Sequence, residues 1–532
     1  MTLAALRQAL ADPAIYPEPT AAVEVRETHI SLVFLTDQYA YKIKKPVNLE
    51  FLDYSTLAHR QVMCEQELQL NRRLSSDIYL DVVAIHQQER TYTFAGPGPV
   101  VEYAVKMRRL PEDATLHEHL QKQRAPLDTM RPLARKLATF HAAHPAPGAA
   151  TPYGARERVM ADWQENFAQT LDAVGHTLSW DTYHRIEQSV TGFLSQHAVW
   201  FGQRVEDGHI RDCHGDLRAE HIYLEGHQMQ IIDCIEFNPQ FRYIDAASEI
   251  AFLAMDLERL GFSAHADAFV RAYVAAVGDV TLYRLLDFYR CYRAYVRGKV
   301  RSFLWRDAGH RRDSSNLQDE AQTYFDLAAR YAQRLTRPML VITTGLIGTG
   351  KSTIAQGVAE ALELELYSSD RIRKARAGLT PDTPQRVAYG TGLYSAAVSE
   401  QTYEDLAASA RAALQRGISV IVDAAFSKQA QRAQFHALAR AVGADCYLLE
   451  CLVPEAMLQA RLEQRMQTPG VISDGRLEIL PQFKQGYEPV QAIDKMVHIR
   501  LDTSQPIAQC VQHALAAIQE GRSTFDPHVI KA

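Results

Sequence analysis

The run Gly345-Leu346-Ile347-Gly348-Thr349-Gly350-Lys351-Ser352 constrains this chain more than any other stretch. An apolar segment, 339–344, precedes it, and an amphipathic one, 351–362, follows. A G-x-x-x-x-G-K-[ST] run between a strand and a helix turns successive backbone N–H groups inward, and the helix N-terminus adds the positive end of its dipole. Such a loop holds polyphosphate. Gly345, Gly348, Thr349, Gly350, Lys351, Ser352 and Thr353 are therefore the expected nucleotide-binding residues. Lys351 would reach the β- and γ-phosphates of ATP, and the Ser352 hydroxyl would hold Mg²⁺. The α/β alternation continues with strands at 418–423, 445–452 and 496–501 and helices at 428–442 and 454–467, which predicts a parallel sheet. Thr336-Arg337-Pro338 breaks the preceding helical pattern and places a domain boundary near residue 336.

With 532 residues and ~150 residues per domain, further domains must lie upstream of that boundary. Hydrophobic residues make up 47% and charged residues 23%, which excludes fibrous and wholly disordered chains. Lys and Arg total 57 against 63 Asp and Glu, a net charge of −6, so the chain is not a dedicated nucleic-acid coat. Seven scattered cysteines without a C-x-x-C pair suggest reduced thiols. No secretory leader stands at the N-terminus, and no run approaches the ~18 apolar residues of a membrane helix. The expectation is a cytoplasmic protein without membrane contact.

Four further groups bear on the C-terminal chemistry. Asp370 follows a second strand ending near Ser369, where a carboxylate can accept the proton of an attacking hydroxyl. Arg373 follows it closely and suits an anionic group, while Asp423 closes strand 418–423 as a Mg²⁺ carboxylate. Arg461 and Arg465 share a helical face before a Pro-Gly break and suit a lid over the phosphates. The plain alternatives are N-capping for Asp370 and solvated charge for the two arginines. Residues 339–505 resemble the small P-loop kinases related to zeta toxins, gluconate kinases and polynucleotide kinases. The Asp370-x-x-Arg373 spacing is similar to the general base and acceptor-phosphate arginine of polynucleotide 5′-kinases. That resemblance implies an ATP-dependent kinase acting on a hydroxyl.

A second constellation lies upstream: His214-Gly215-Asp216-Leu217-Arg218-Ala219-Glu220-His221, then Ile231-Ile232-Asp233 at the end of a strand–turn–strand unit. A catalytic loop and a hairpin can bring one carboxylate to a substrate hydroxyl and the other to Mg²⁺. Here the chain resembles the aminoglycoside phosphotransferase family over roughly residues 20–330. The resemblance implies Asp216 as catalytic base, Asp233 as Mg²⁺ ligand, Asp245 as a structural acid, Lys42 as the phosphate-pairing lysine and Glu67 as its ion-pair partner. Lys44 shares the strand face with Lys42. His221 stands where the family has Asn, and imidazole is a poor substitute for an amide oxygen on Mg²⁺. Either one metal with water serves, or His221 serves nucleotide or acceptor, or catalysis has decayed. No Gly-rich loop exists in this lobe, although Thr28, His29 and Ser31 could contact phosphates.

The fold expected is thus an α+β protein-kinase-like, aminoglycoside-phosphotransferase-like two-lobed domain over 1–335 (lobes about 20–110 and 111–335), followed by an α/β P-loop NTPase domain over 336–532. The function expected is Mg-ATP-dependent phosphoryl transfer to a hydroxyl of a small molecule. The alternatives are a polynucleotide 5′-hydroxyl kinase, favoured by the basic run Arg371, Arg373, Lys374, Arg376, and a nucleotide-switched regulator with an N-terminal pseudokinase. Arg290, Arg293, Arg297 and Arg301 recur at helical spacing; such a stripe could bind an anionic substrate or dock the P-loop domain, and the favoured reading is a solvated face paired with nearby acids.

Overall fold

The computed structural model describes residues 3–49, 52–89, 91–226, 228–309, 314–380, 383, 390–466, 476–493 and 495–522. The chain divides into two compact units. The first comprises Met1–Trp180, Leu194–Val277 and Tyr289–Ala328, and the second Asp181–Phe193, Gly278–Phe288 and Ala329–Ala532.

The first unit opens on a six-stranded antiparallel sheet in the order Glu24–Glu27, Ser31–Leu35, Tyr39–Lys44, Val100–Arg108, Tyr79–Gln88, Thr91–Thr93. Alternation along Tyr39–Lys44 sorts its side chains. Tyr41 and Ile43 join Leu32, Phe34, Ile85 and Ala104 in one apolar layer. Lys42 and Lys44 project from the other face, on the side of helix Leu57–Arg72. Thr56 caps that helix by accepting from the His59 N–H.

The periodicity of this helix predicts Leu57, Val62, Leu68 and Leu70 as its apolar positions, but the fully buried stripe is Arg60, Cys64, Glu67 and Asn71. Val62 is exposed. The reason is electrostatic. Arg60 pairs with Glu102 at 2.9 Å, Glu67 with two lysines, and Asn71 Oδ1 accepts from the Cys234 N–H at 2.8 Å. Each polar group inside is matched, so a polar stripe can face inward.

Helices make up most of the remainder, and Ala246–Arg259 is buried along residues 246–257. Asp245 caps it, accepting from the Ala247 N–H at 2.8 Å, and receives two hydrogen bonds from Arg204 at 2.6 and 2.9 Å.

The second unit carries a five-stranded parallel sheet in the order Glu365–Ser368, Val420–Asp423, Met339–Thr344, Asp445–Leu452, Val497–Asp502. Met339–Thr344 is buried along its whole length, as a central parallel strand must be. Helices Lys351–Leu362, Gln429–Ala441 and Glu455–Met466 follow where the pattern placed them. Helix Ala396–Gln415, which the sequence reading did not identify, packs Leu406, Ala410 and Leu414 into the core below the sheet. All seven cysteines are buried and free. No described helix is long and apolar enough to cross a membrane.

The Arg204–Asp245 pair yields a stability prediction. Asp245→Ala withdraws the carboxylate that holds the buried Arg204 guanidinium and removes a helix cap. It should lower stability by about 3–5 kcal/mol, read as a shift in the urea midpoint. A midpoint within error of wild type would show that the pair is dispensable.

Candidate functional site

In the second unit the phosphate loop begins where strand Met339–Thr344 ends. Gly345 has φ +139°, and a Cβ there would meet the Cys451 carbonyl oxygen at 2.6 Å. Gly350, at φ +87°, is the N-cap of helix Lys351–Leu362. Thr503, after the last strand, donates to the Thr349 carbonyl at 2.7 Å and ties the loop to the opposite sheet edge. Lys351 Nζ donates to the Leu346 carbonyl at 2.7 Å.

A cavity of about 710 Å³ stands over this loop, and Lys351, Ser352, Thr353, Asp370, Arg373 and Asp423 all line it. Gly348 and Gly350 line it too. Asp370 lies inside the first turn of helix Ser369–Arg376, whose N-cap is Ser368, so capping is not its role. Its carboxylate accepts from Arg373 at 2.8 Å, and the Arg373 guanidinium lies 4.6 Å from the Tyr394 ring centroid. Asp423 is buried at its strand end, within 3.4 Å of the Thr343 hydroxyl.

Arg461 faces a second cavity of about 380 Å³ beside Gly348, Gly350 and Thr353, and donates to the Thr503 carbonyl at 2.6 Å. The Arg465 side chain lies outside the described residues. Only part of the basic run is open: Arg373 and Lys374 are buried, while Arg371 and Arg376 are exposed, Arg376 pairing with Asp405 at 2.5 Å.

In the first unit Glu67 binds both lysines: Lys42 Nζ at 2.8 Å through one carboxylate oxygen and Lys44 Nζ at 2.8 Å through the other. Lys42 also bonds Asp233 at 2.7 Å. Lys44 also bonds Glu236, whose Oε1 accepts from Tyr54 at 2.6 Å. Burial works against both ammonium charges, yet the carboxylates outweigh it and raise both lysines well above their ordinary value. Lys44 is 1% exposed against 16% for Lys42, so Lys42 is the lysine within reach of a ligand.

Asp233, held at φ +68°, and Asp216 stand on either side of His221. Arg218 grips both Asp216 oxygens at 2.9 Å. Burial raises the Asp216 carboxyl, but Arg218 and His221 overcome it and hold the group well below the usual carboxylate range. Asp233 is depressed likewise, against its burial, by Lys42 and His221. His221 donates from Nδ1 to the Asp216 carbonyl at 2.9 Å, because a carbonyl oxygen only accepts. Its Nε2 receives Arg218 at 3.0 Å and lies 3.7 Å from Asp233. Thr28 closes the turn before Ser31–Leu35 by hydrogen bonds to Ser31.

The catalytic loop is braced from behind. Glu249 accepts from the Gly215 N–H at 2.7 Å and is itself 2.7 Å from His141 Nε2. Arg293 donates to the Gly215 carbonyl at 3.2 Å. The arginine stripe is therefore not the solvated face expected. Arg290 and Arg293 are buried, Arg290 pairing with Glu258 at 3.1 Å, and only Arg301 makes an outer pair, with Glu320. Sequence reasoning passed over Arg218, Glu236 and Glu249 and placed Arg293 on a solvated face. Arg218 and Glu236 each lie within three residues of a quoted aspartate, and two lysines on one buried face already call for more than one carboxylate.

An AAA-domain family model matches residues 340–490. Uncharacterized proteins of Mycobacterium tuberculosis and Mycobacterium bovis are 32% identical over 425 residues, covering 80% of this chain and 82% of theirs. Among solved structures, a choline/ethanolamine kinase family protein from Mesorhizobium loti is 14% identical, with 62% of this chain and 99% of that one covered at TM-score 0.38. A sugar kinase from Janibacter sp. HTCC2649 is 23% identical, with 35% and 98% covered at TM-score 0.28. The chain belongs to the family of these mycobacterial proteins, and its residues 340–490 match the AAA-domain model.

Proposed function

We propose that this chain is an ATP- and Mg²⁺-dependent phosphotransferase with two kinase-like sites, one in residues 1–335 and one in 336–532, each passing a phosphoryl group to a hydroxyl of a small molecule. The observation that carries the proposal is the convergence of Lys351, Ser352, Asp370, Arg373 and Asp423 on one cavity. Lys351 and the loop amides would bind the β- and γ-phosphates of ATP. Asp370 would accept the acceptor's proton while Arg373 stabilises the charge of the transferring group.

Ser352 and Asp423 are hard oxygen donors, the set Mg²⁺ prefers. In the other site Asp233 offers oxygen and His221 Nε2 a softer nitrogen. Mg²⁺, when bound, neutralises phosphate charge. Asp216 would orient the acceptor hydroxyl and take its proton. Its strongly depressed pKa keeps it ionised at neutral pH and makes that proton transfer late. Arg218 must release Asp216 for this, and the released guanidinium is placed to meet phosphate oxygens. The burial of Arg373 and Lys374 and the pairing of Arg376 favour a small acceptor over a polynucleotide.

The test is transfer from γ-labelled ATP to a panel of hydroxyl compounds and 5′-hydroxyl RNA. Lys351→Ala and Asp216→Ala should each remove one component of transfer by about 10²-fold or more, and together abolish it. If neither change lowers transfer to any acceptor, the two-site reading fails. Labelling of RNA alone would establish the polynucleotide kinase instead.

Gly345→Ala drives a methyl into the Cys451 carbonyl. It should weaken binding of an ATP analogue at the C-terminal site about tenfold or more, read as the change in one of the two components of a calorimetric titration. Unchanged affinity would show that the loop conformation described is not the binding one.

A further inference from the structure

Beside Asp216 lies a cavity of about 270 Å³. Its wall holds the aromatic side chains Tyr153, Phe241, Phe252 and Tyr292, and its remaining lining is strongly charged. The sign of that charge follows from pairing. Asp162 is paired with Arg158 at 2.7 Å, Asp216 with Arg218 at 2.9 Å, and Asp245 with Arg204 at 2.6 Å. Of the lining carboxylates this leaves Glu165, which is exposed and accepts from the Gln169 amide at 3.0 Å.

The cations are not balanced in the same way. Arg293 is spent on backbone and hydroxyl oxygens of Gly215 and Ser248. Lys299 donates to the amide oxygens of Asn166 at 2.6 Å and Gln169 at 2.7 Å, and burial pushes its pKa down although Glu165 and Asp162 work against it. Arg297 makes no direct ion pair with a carboxylate among the described residues, although its charge acts on Asp216 and Glu220. Its Nε is buried without a hydrogen bond, and its guanidinium stands 5.8 Å from the Tyr324 ring. Arg297 and Asp216 both line the cavity, and after Arg218 and His221, Arg297 is among the charges that hold Asp216 ionised against its burial.

A cation taken out of water without a counter-charge is costly, and a ligand anion removes that cost. We propose that the acceptor of the N-terminal site is a small hydroxy compound bearing an anionic oxygen group, a carboxylate or a phosphate, which Arg297 and Lys299 bind while its hydroxyl faces Asp216. This deepens the phosphotransferase reading of that site and rests on it. The volume admits a small polyol derivative, and the aromatic walls suit its C–H faces. The sign is opposite to that required by a polycationic aminoglycoside. In the transfer the acceptor oxygen bonds to the γ-phosphorus of ATP and its proton passes to Asp216. The bond from the γ-phosphorus to the bridging oxygen breaks, and ADP leaves with the electron pair.

The experiment uses the full chain carrying Lys351→Ala, so that the other site is silent. Glycerol and glucitol are each compared with their carboxylate, phosphate-monoester and primary-amine counterparts, by calorimetric binding without nucleotide and by transfer from γ-labelled ATP. The anionic members should bind tighter than the neutral ones by about tenfold or more, and the amines not at all. Arg297→Gln should erase that preference and Lys299→Gln reduce it, while Arg297→Lys retains part of it. Carboxylates outbinding phosphates, or the reverse, identifies which anion is read.

Neutral or amine members binding as well as anionic ones, no member binding, or a preference that survives Arg297→Gln in folded protein overturns the proposal. Transfer that is absent while the anion preference stands would instead refute the phosphotransferase reading of this site. Asp216→Asn should abolish transfer and keep the preference.

Discussion

Two lysines on the same buried face of strand Tyr39–Lys44 repel each other and lose their hydration, so the strand can occupy its place only if carboxylates come to it. Glu67 from helix Leu57–Arg72 meets both ammonium groups, Asp233 meets one and Glu236 the other. The cluster gathers the strand, the helix and the segment after strand Gln228–Ile231 around a single charge-matched centre. Pairs of this kind contribute little net stability, because desolvation offsets attraction, but any alternative register would bury an unmatched charge. The polar stripe of the helix, the placing of Asp233 and the position of Lys42 against it all follow from this requirement.

The second unit meets the same demand for anion binding by another route. Its loop relies on backbone amides and a helix N-terminus, groups that carry no net charge and need no counter-ions when the site is empty. One lysine, Lys351, supplies the formal charge and rests on a loop carbonyl. The net charge of −6 therefore says little about ligands. What bears on binding is where a cation lines a cavity with no direct ion pair among the described residues, as Arg297 does.

Legibility in the sequence divides along the same line. The phosphate loop could be read because its chemistry is local: glycines, lysine and serine act within one strand-to-helix turn. The His214-Gly215-Asp216 loop and Asp233 were legible for a similar reason, with a hairpin between them. The Lys44–Glu236 pair joins residues 192 apart in the chain, and no periodicity announces it. The helix Leu57–Arg72 misled because leucines mark a buried face only when the opposite face has no partners waiting. Arg290 and Arg293 misled for the same reason: an arginine stripe is solvated by default, and only the packed catalytic loop shows what Arg293 holds.

The central claim is that two separate sites bind nucleotide. Calorimetric titration of the full chain with a non-hydrolysable ATP analogue and Mg²⁺ tests it directly. The account predicts two molecules bound per chain in the wild type and one in Lys351→Ala. One molecule in the wild type, falling to none in Lys351→Ala, would contradict it.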